Sequence, residues 1–211
     1  MLYLLHGSGD DETGWVQKGS ANVIMDNLYA DGKAQPMIVV MPYGYSTRPG
    51  EPTRKPNATP EERRQAAAGF QKDLLEDVIP FIESHYPAIA DPDHRALAGL
   101  SMGGGQTTRI GPTHPETFAY LGVFSAGMPR AGATEGDPTA AYPDADTLNS
   151  HLKLFWLSCG DKDRGLEGAK RLDATLTEKK IHHLWHQDTG AHEWPVWKND
   201  LYLFAQRLFR N

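Results

Sequence analysis

The stretch Arg95-Ala-Leu-Ala-Gly-Leu-Ser-Met-Gly-Gly-Gly-Gln106 limits the folds open to this chain more than any other. Ala96 to Ala98 reads as a short buried strand, Gly99-Leu100-Ser101-Met102-Gly103 fits G-x-S-x-G, and the residues that follow can start a helix. At so sharp a strand-to-helix turn the serine is held strained, with its hydroxyl exposed above the carboxyl edge of a sheet. Glycines at 99 and 103 let two backbones pass closely where any Cβ would clash. The turn also places the Met102 N–H at the start of a helix, where unpaired amides and the helix dipole favour negative charge. A five-residue pattern this loose recurs by chance, so the rest of the chain has to supply its scaffold and its partners.

The remaining segments alternate in the way such a turn requires. Leu2 to Leu5 is a continuous apolar run, as expected of a strand buried on both faces, and it ends at once in His6-Gly7-Ser8-Gly9. Ala21 to Ala30 has helical spacing closed by Asp31-Gly32, and Met37 to Met41 is a wholly apolar strand stopped by Pro42. A long loop from Tyr43 to about Asn57 can shape a cleft. Thr59-Pro60-Glu61-Glu62 then reads as a capped helix start, running through Phe70, Leu74 and Ile82 to Tyr86. After the serine, helix is expected to Ile110, a strand over Tyr120–Ser125, and a loop of small residues, Pro and Asp from Ala126 to Ser150. A strand over Leu152–Cys159, a helix over Gly168–Lys180, a strand at His183–His186 and a helix over Pro195–Phe209 complete the chain. Strands alternating with helices mean an α/β fold, a mostly parallel sheet covered on both faces, here as one domain over residues 1–211.

With 211 residues, 39% hydrophobic and 23% charged, the chain can bury a sizeable core. A net charge of −6 and the lack of any Lys/Arg-rich run argue against nucleic acid as partner. No apolar run is long enough to span a bilayer, so no membrane role is expected. Met1 to His6 lacks the basic n-region and cleavage site of a signal peptide, and the single cysteine, Cys159, excludes an internal disulfide.

Active residues on such sheets gather in loops at the carboxyl ends of the strands. Ser101, Asp161 or Asp163, and His192 all fall in such loops, in the order Ser, Asp, His used by α/β-hydrolases. The backbone N–H groups of Met102 and of Ser8, the latter in an H-G-x loop after a buried strand, are candidates for an oxyanion hole. Trp15, Trp194 and Trp197 are candidates for an aromatic acyl site, and Arg48, Arg54 and Lys55 for contacts to a substrate. Adjacent His182 and His183 would point to opposite faces of a strand and cannot chelate together, so no metal set is read. His6 reads as a structural hydrogen-bonder. Acyl transfer through such a serine requires no metal or organic cofactor.

The stretches Leu4-Leu-His-Gly7, Ala21-Asn-Val-Ile-Met-Asp-Asn-Leu28, Asp73-Leu-Leu-Glu-Asp-Val-Ile-Pro80, Arg95 to Gln106 and Gly190-Ala-His-Glu-Trp-Pro-Val-Trp-Lys198 resemble the feruloyl esterases of carbohydrate esterase family one, also called the esterase D family. The resemblance covers essentially the whole chain. It implies an α/β-hydrolase fold, Ser101 as nucleophile, His192 as base, and, by position after the Cys159 strand end, Asp163 rather than Asp161 as the acid. It implies hydrolysis of feruloyl esters of plant cell-wall polysaccharide, and a secreted setting. Relatives include acetyl xylan esterases, S-formylglutathione hydrolases and acyltransferases, and the fold also serves non-catalytic carbohydrate-binding modules. Members carry further strands before the one at Leu2–Leu5. Without them the apolar strand at Met37–Met41 would be a sheet edge, so the expectation is a homodimer across that edge or a sequence shortened at its front.

Overall fold

A computed structural model describes residues 1–45, 59–129 and 137–210. Among these described residues six strands form one parallel sheet in the order β2-β1-β3-β4-β5-β6, where β1 is Leu2–Leu5, β2 Val39–Val40, β3 Ala96–Leu100, β4 Tyr120–Phe124, β5 Leu154–Gly160 and β6 Leu184–Asp188. The helices are α1 Gly14–Gln17, α2 Ala21–Ala30, α3 Pro60–Lys72, α4 Ile79–His85, α5 Met102–Ile110, α6 Ala145–His151, α7 Leu166–Glu178 and α8 Trp194–Ala205. Every residue of β1, β3 and β4 is buried, which explains their unbroken apolar runs. Alternation along them builds two cores. Leu2, Leu4, Ala96 and Ala98 face Leu28 of α2 and Leu201 and Phe204 of α8, while Tyr3, Leu5, Leu97 and Leu121 face Phe70, Leu74 and Leu172.

Three expectations are corrected. The strand at Met37–Met41 shrinks to Val39–Val40, pairing only with Leu2 and Tyr3, and both its residues are half-buried. Pro42 offers no N–H to continue the ladder. A dimer across this edge would have two residues of strand to build on rather than a long apolar one. The loop expected at Ala126–Ser150 contains α6, whose start is fixed by Asp144 accepting from the Thr147 N–H at 2.9 Å. The long helix after Thr59 keeps its predicted capping box, with Thr59 and Glu62 bonded reciprocally, but passes through a π-helical segment at Asp73–Val78. Pro80 explains the detour: it has no N–H to give, and its ring would clash with the carbonyl four residues back in a regular helix. The Ile79 N–H instead reaches Leu74, five back.

Candidate active site

Ser101 occupies the β3–α5 turn with φ 52° and ψ −110°, a region that non-glycine residues rarely visit and that costs on the order of 1–3 kcal/mol. The surroundings hold it there. The Ser101 N–H donates to the Phe124 carbonyl at 2.8 Å and the Gly103 N–H to that of His6 at 3.1 Å, tying the turn to β4 and to the end of β1. A Cβ on Gly99 would lie 2.6 Å from the Gly103 carbonyl carbon, and one on Gly103 would lie 2.6 Å from Leu5 Cβ. Only glycine at both positions lets α5 leave the sheet this closely.

His192 lies in the loop between β6 and α8. Its Nε2 is 2.9 Å from Ser101 Oγ, and its Nδ1 lies 2.9 and 3.0 Å from the two carboxylate oxygens of Asp163. The Asp163 side chain is fully shielded from solvent. Burial alone would raise its pKa, but hydrogen bonds from His192 and the Gly165 N–H, with the Ser125 hydroxyl nearby, outweigh burial and hold the carboxyl below its ordinary value. Asp161 plays a different part, since its carboxylate accepts the Gly190 N–H at 2.8 Å and so anchors the loop that carries His192. The structure thus brings Asp163, and not Asp161, to the imidazole.

Two supporting roles escaped sequence reasoning, in which Trp197 figures only as a candidate for the acyl site and Ser125 as no candidate at all. The Trp197 ring meets the His192 ring edge-on with centroids 5.0 Å apart, and its indole N–H donates to Ser125 Oγ at 2.9 Å. Ser125, just after β4 with φ 51°, stands beside Asp163 and helps to hold its carboxyl ionised. A positive-φ serine has no sequence signature, so only the fold reveals this pair. Cys159, next to the acid loop, is a buried thiol pushed up to about 12, first by burial and then by the Asp163 charge, and it is inert as a nucleophile.

Above Ser101 opens a cavity of about 400 Å³ lined by Ser8, Tyr45, Met102, Gln106 and Arg109 among others. The expected oxyanion residues Ser8 and Met102 therefore share one cavity wall with Ser101. His6 braces this wall: its ring nitrogens lie 2.8 Å from the Gly7 carbonyl and 2.5 Å from that of Tyr43, as expected of a structural hydrogen-bonder. Gln106 donates to the Gly44 carbonyl at 2.8 Å, fastening the Tyr43–Tyr45 segment to α5. The tryptophans are a correction. Trp15 is 1% exposed, donates to the Leu5 carbonyl at 2.9 Å and packs on Phe124, so it is core. Trp194 packs edge-on between Trp15 and Trp197, and neither Trp15 nor Trp194 lines the cavity. Arg48, Arg54 and Lys55 lie outside the described residues. His182 and His183 precede β6, and His183 pairs with Asp173 at 2.9 Å.

The profile of the Esterase family matches residues 1–207. The whole chain is 37% identical to part of an endo-1,4-beta-xylanase/feruloyl esterase from Xylanibacter ruminicola, of which it spans 26%. An alignment 115 positions long, covering 49% of the chain, is 30% identical to 9% of an endo-1,4-beta-xylanase Y from Acetivibrio thermocellus. The chain thus spans about a quarter or less of these relatives' length. Among solved structures, a ferulic acid esterase from Anaeromyces mucronatus in complex with ferulic acid superposes with a TM-score of 0.84 at 26% identity, covering 99% of this chain and 78% of that one.

Proposed function

Since the chain belongs to the Esterase family, we propose that it hydrolyses feruloyl and related hydroxycinnamoyl esters of plant cell-wall polysaccharide through an acyl-enzyme. The observation that carries this reading is the unbroken relay Ser101 Oγ, His192, Asp163, with 2.9 Å on either side of the imidazole. A serine hydroxyl is a poor nucleophile at its ordinary pKa, so His192 Nε2 takes its proton as Oγ attacks the ester carbonyl carbon. Asp163 holds the Nδ1–H tautomer and stabilises the imidazolium that forms. The N–H groups of Met102 and Ser8 receive the developing oxyanion, and one such donor is worth about 3 kcal/mol of barrier. As the tetrahedral intermediate collapses, His192 returns the proton to the departing alcohol oxygen. Water then gives its proton to His192, adds to the acyl carbon, and frees the acid and the serine.

Support for the acyl group comes from the relatives: a feruloyl esterase at 37% identity along the whole chain and the ferulic acid complex of the Anaeromyces protein. The cavity is of a size that takes a small aromatic ligand, and Tyr45 and Met102 give it an aromatic and apolar wall. We expect Ser101→Ala to lower kcat/KM on methyl ferulate at least about a thousandfold. Near-normal turnover by that variant would remove Ser101 from its role. Rates on methyl ferulate, acetylated xylan and S-formylglutathione, measured side by side, test the substrate class, and a faster formyl or acetyl reaction would overturn the hydroxycinnamoyl assignment.

A further inference from the structure

Beyond the catalytic residues, on the face of the sheet covered by α8, lies a second group of potential ligands that the relay does not use. His186 and Asp188, two apart on β6, share a strand face, and Asp200 on α8 meets them there. One ligand atom from each of the three lies within 4.8 Å of the other two. Asp200 is fully buried, and neither of its carboxylate oxygens meets a hydrogen-bond donor. Ser158 Oγ approaches it without reaching hydrogen-bond geometry. His186 Nε2 is likewise buried and unpartnered. Native proteins rarely leave a buried carboxylate and a buried imidazole nitrogen without partners, and each such atom calls for an explanation.

We propose that His186, Asp188 and Asp200 bind one divalent transition-metal ion of the Zn²⁺ class, which staples β6 to α8. Ligands at about 2.0–2.2 Å from a tetrahedral ion stand roughly 3.3–3.6 Å apart, so atoms already within 4.8 Å of one another need to close by no more than about 1.5 Å to share one ion. The fourth position is left to water. An imidazole in the set selects against Ca²⁺ and Mg²⁺, which prefer all-oxygen shells. Asp188 is already oriented as a ligand, because one of its oxygens accepts the Thr189 N–H at 2.8 Å and the other the Asn199 side-chain amide at 2.6 Å. Such outer contacts orient a ligating carboxylate while leaving it lone pairs to donate. The ion joins the two elements that flank the His192 loop, spanning Thr189 to Glu193, so its effect is to stiffen the support of the imidazole.

The test is titration of the EDTA-stripped 211-residue protein with ZnCl2 by calorimetry, with thermal unfolding followed in parallel. One ion per chain should bind with a Kd below about 10 μM, and at saturating Zn²⁺ the Tm should rise by a few degrees. Asp200→Asn and His186→Gln should each weaken binding at least about tenfold and abolish the Tm shift. His192→Ala should keep both, which separates this site from the catalytic imidazole. His186→Gln sits at a partly exposed position and keeps the experiment decisive if Asp200→Asn fails to fold. Absence of saturable binding, or binding unweakened in the folded variants, would overturn the site and leave Asp200 a protonated core acid. An equal Tm shift with Mg²⁺ or Ca²⁺ would overturn the choice of ion.

Discussion

The β3–α5 turn and the β6–α8 loop deliver Ser101 and His192 to the same point by different means. Around Ser101 the contacts are backbone to backbone: its own N–H to Phe124, the Gly103 N–H to His6, and the Gly99 and Gly103 backbones in mutual contact. Around His192 they are side-chain contacts reaching across the fold, from Asp163 to the ring, from Trp197 to the same ring, and from Asp161 to the Gly190 N–H. The serine is placed by geometry that a few neighbouring residues dictate, and the histidine by groups in the loop after β5 and on α8 that meet only once the sheet has formed. Damage to the first should therefore appear mainly as lost stability, and damage to the second mainly as lost activity.

The sharpest test of the second half contrasts two aspartates two residues apart. Asp163→Asn keeps the shape of the side chain but favours the wrong imidazole tautomer, and kcat should fall at least about a thousandfold with the fold intact. Asp161→Asn disturbs only the anchor of the loop, and activity should stay within about tenfold of wild type. Equal losses in the two variants would mean that the loop, rather than a single carboxylate, sets the imidazole, and the contrast would collapse.

A smaller effect tests the first half. Gly99→Ala places a Cβ 2.6 Å from the Gly103 carbonyl carbon and 2.8 Å from Leu5 Cβ, neither of which can swing aside. Urea unfolding should show a loss of about 1–3 kcal/mol, the ordinary cost of overpacking. A midpoint equal to wild type would show that the turn has slack, and the claim of a locally dictated serine would fail.

The same contrast explains what could be read from residues alone. The serine turn and the strands β1, β3 and β4 were legible because buried runs, glycines and a sharp turn leave local marks. Asp161 and Asp163 looked equivalent because both follow the same strand, and the choice depends on where a turn at Gly160 points each side chain. Trp15 and Trp194 stand near site residues in sequence, yet the core claims one and the tryptophan stack the other. Trp197 and Ser125, which brace the relay, come from α8 and from the residue just after β4 and meet across 72 positions of chain, a proximity no spacing rule expresses. The brevity of β2 and the presence of α6 were missed for a simpler reason. Apolar content alone set the length of the first, and small polar residues hid the cap of the second.

The smallest effect lies in the pH dependence of stability. The Asp163 carboxyl is held below its ordinary value, so the native state gives up this proton more readily than the unfolded chain, whose carboxyl titrates near about 3.9. Above that pH both states are ionised and the stabilisation is fully present. As pH falls through the unfolded value toward the lower folded one, the unfolded chain binds more protons and the contribution drains away. Asp163→Asn lacks the titrating group, so the stability gap between wild type and variant should narrow below about pH 4. Urea unfolding at intervals from pH 6 to pH 3 measures that gap. The cost of Gly99→Ala is steric and should stay constant over the same range, since no proton enters a clash between a Cβ and a carbonyl carbon. A gap for Asp163→Asn that is equally flat would show that the carboxyl carries no charge that folding protects, and the histidine would then owe its position to packing against Trp197 instead.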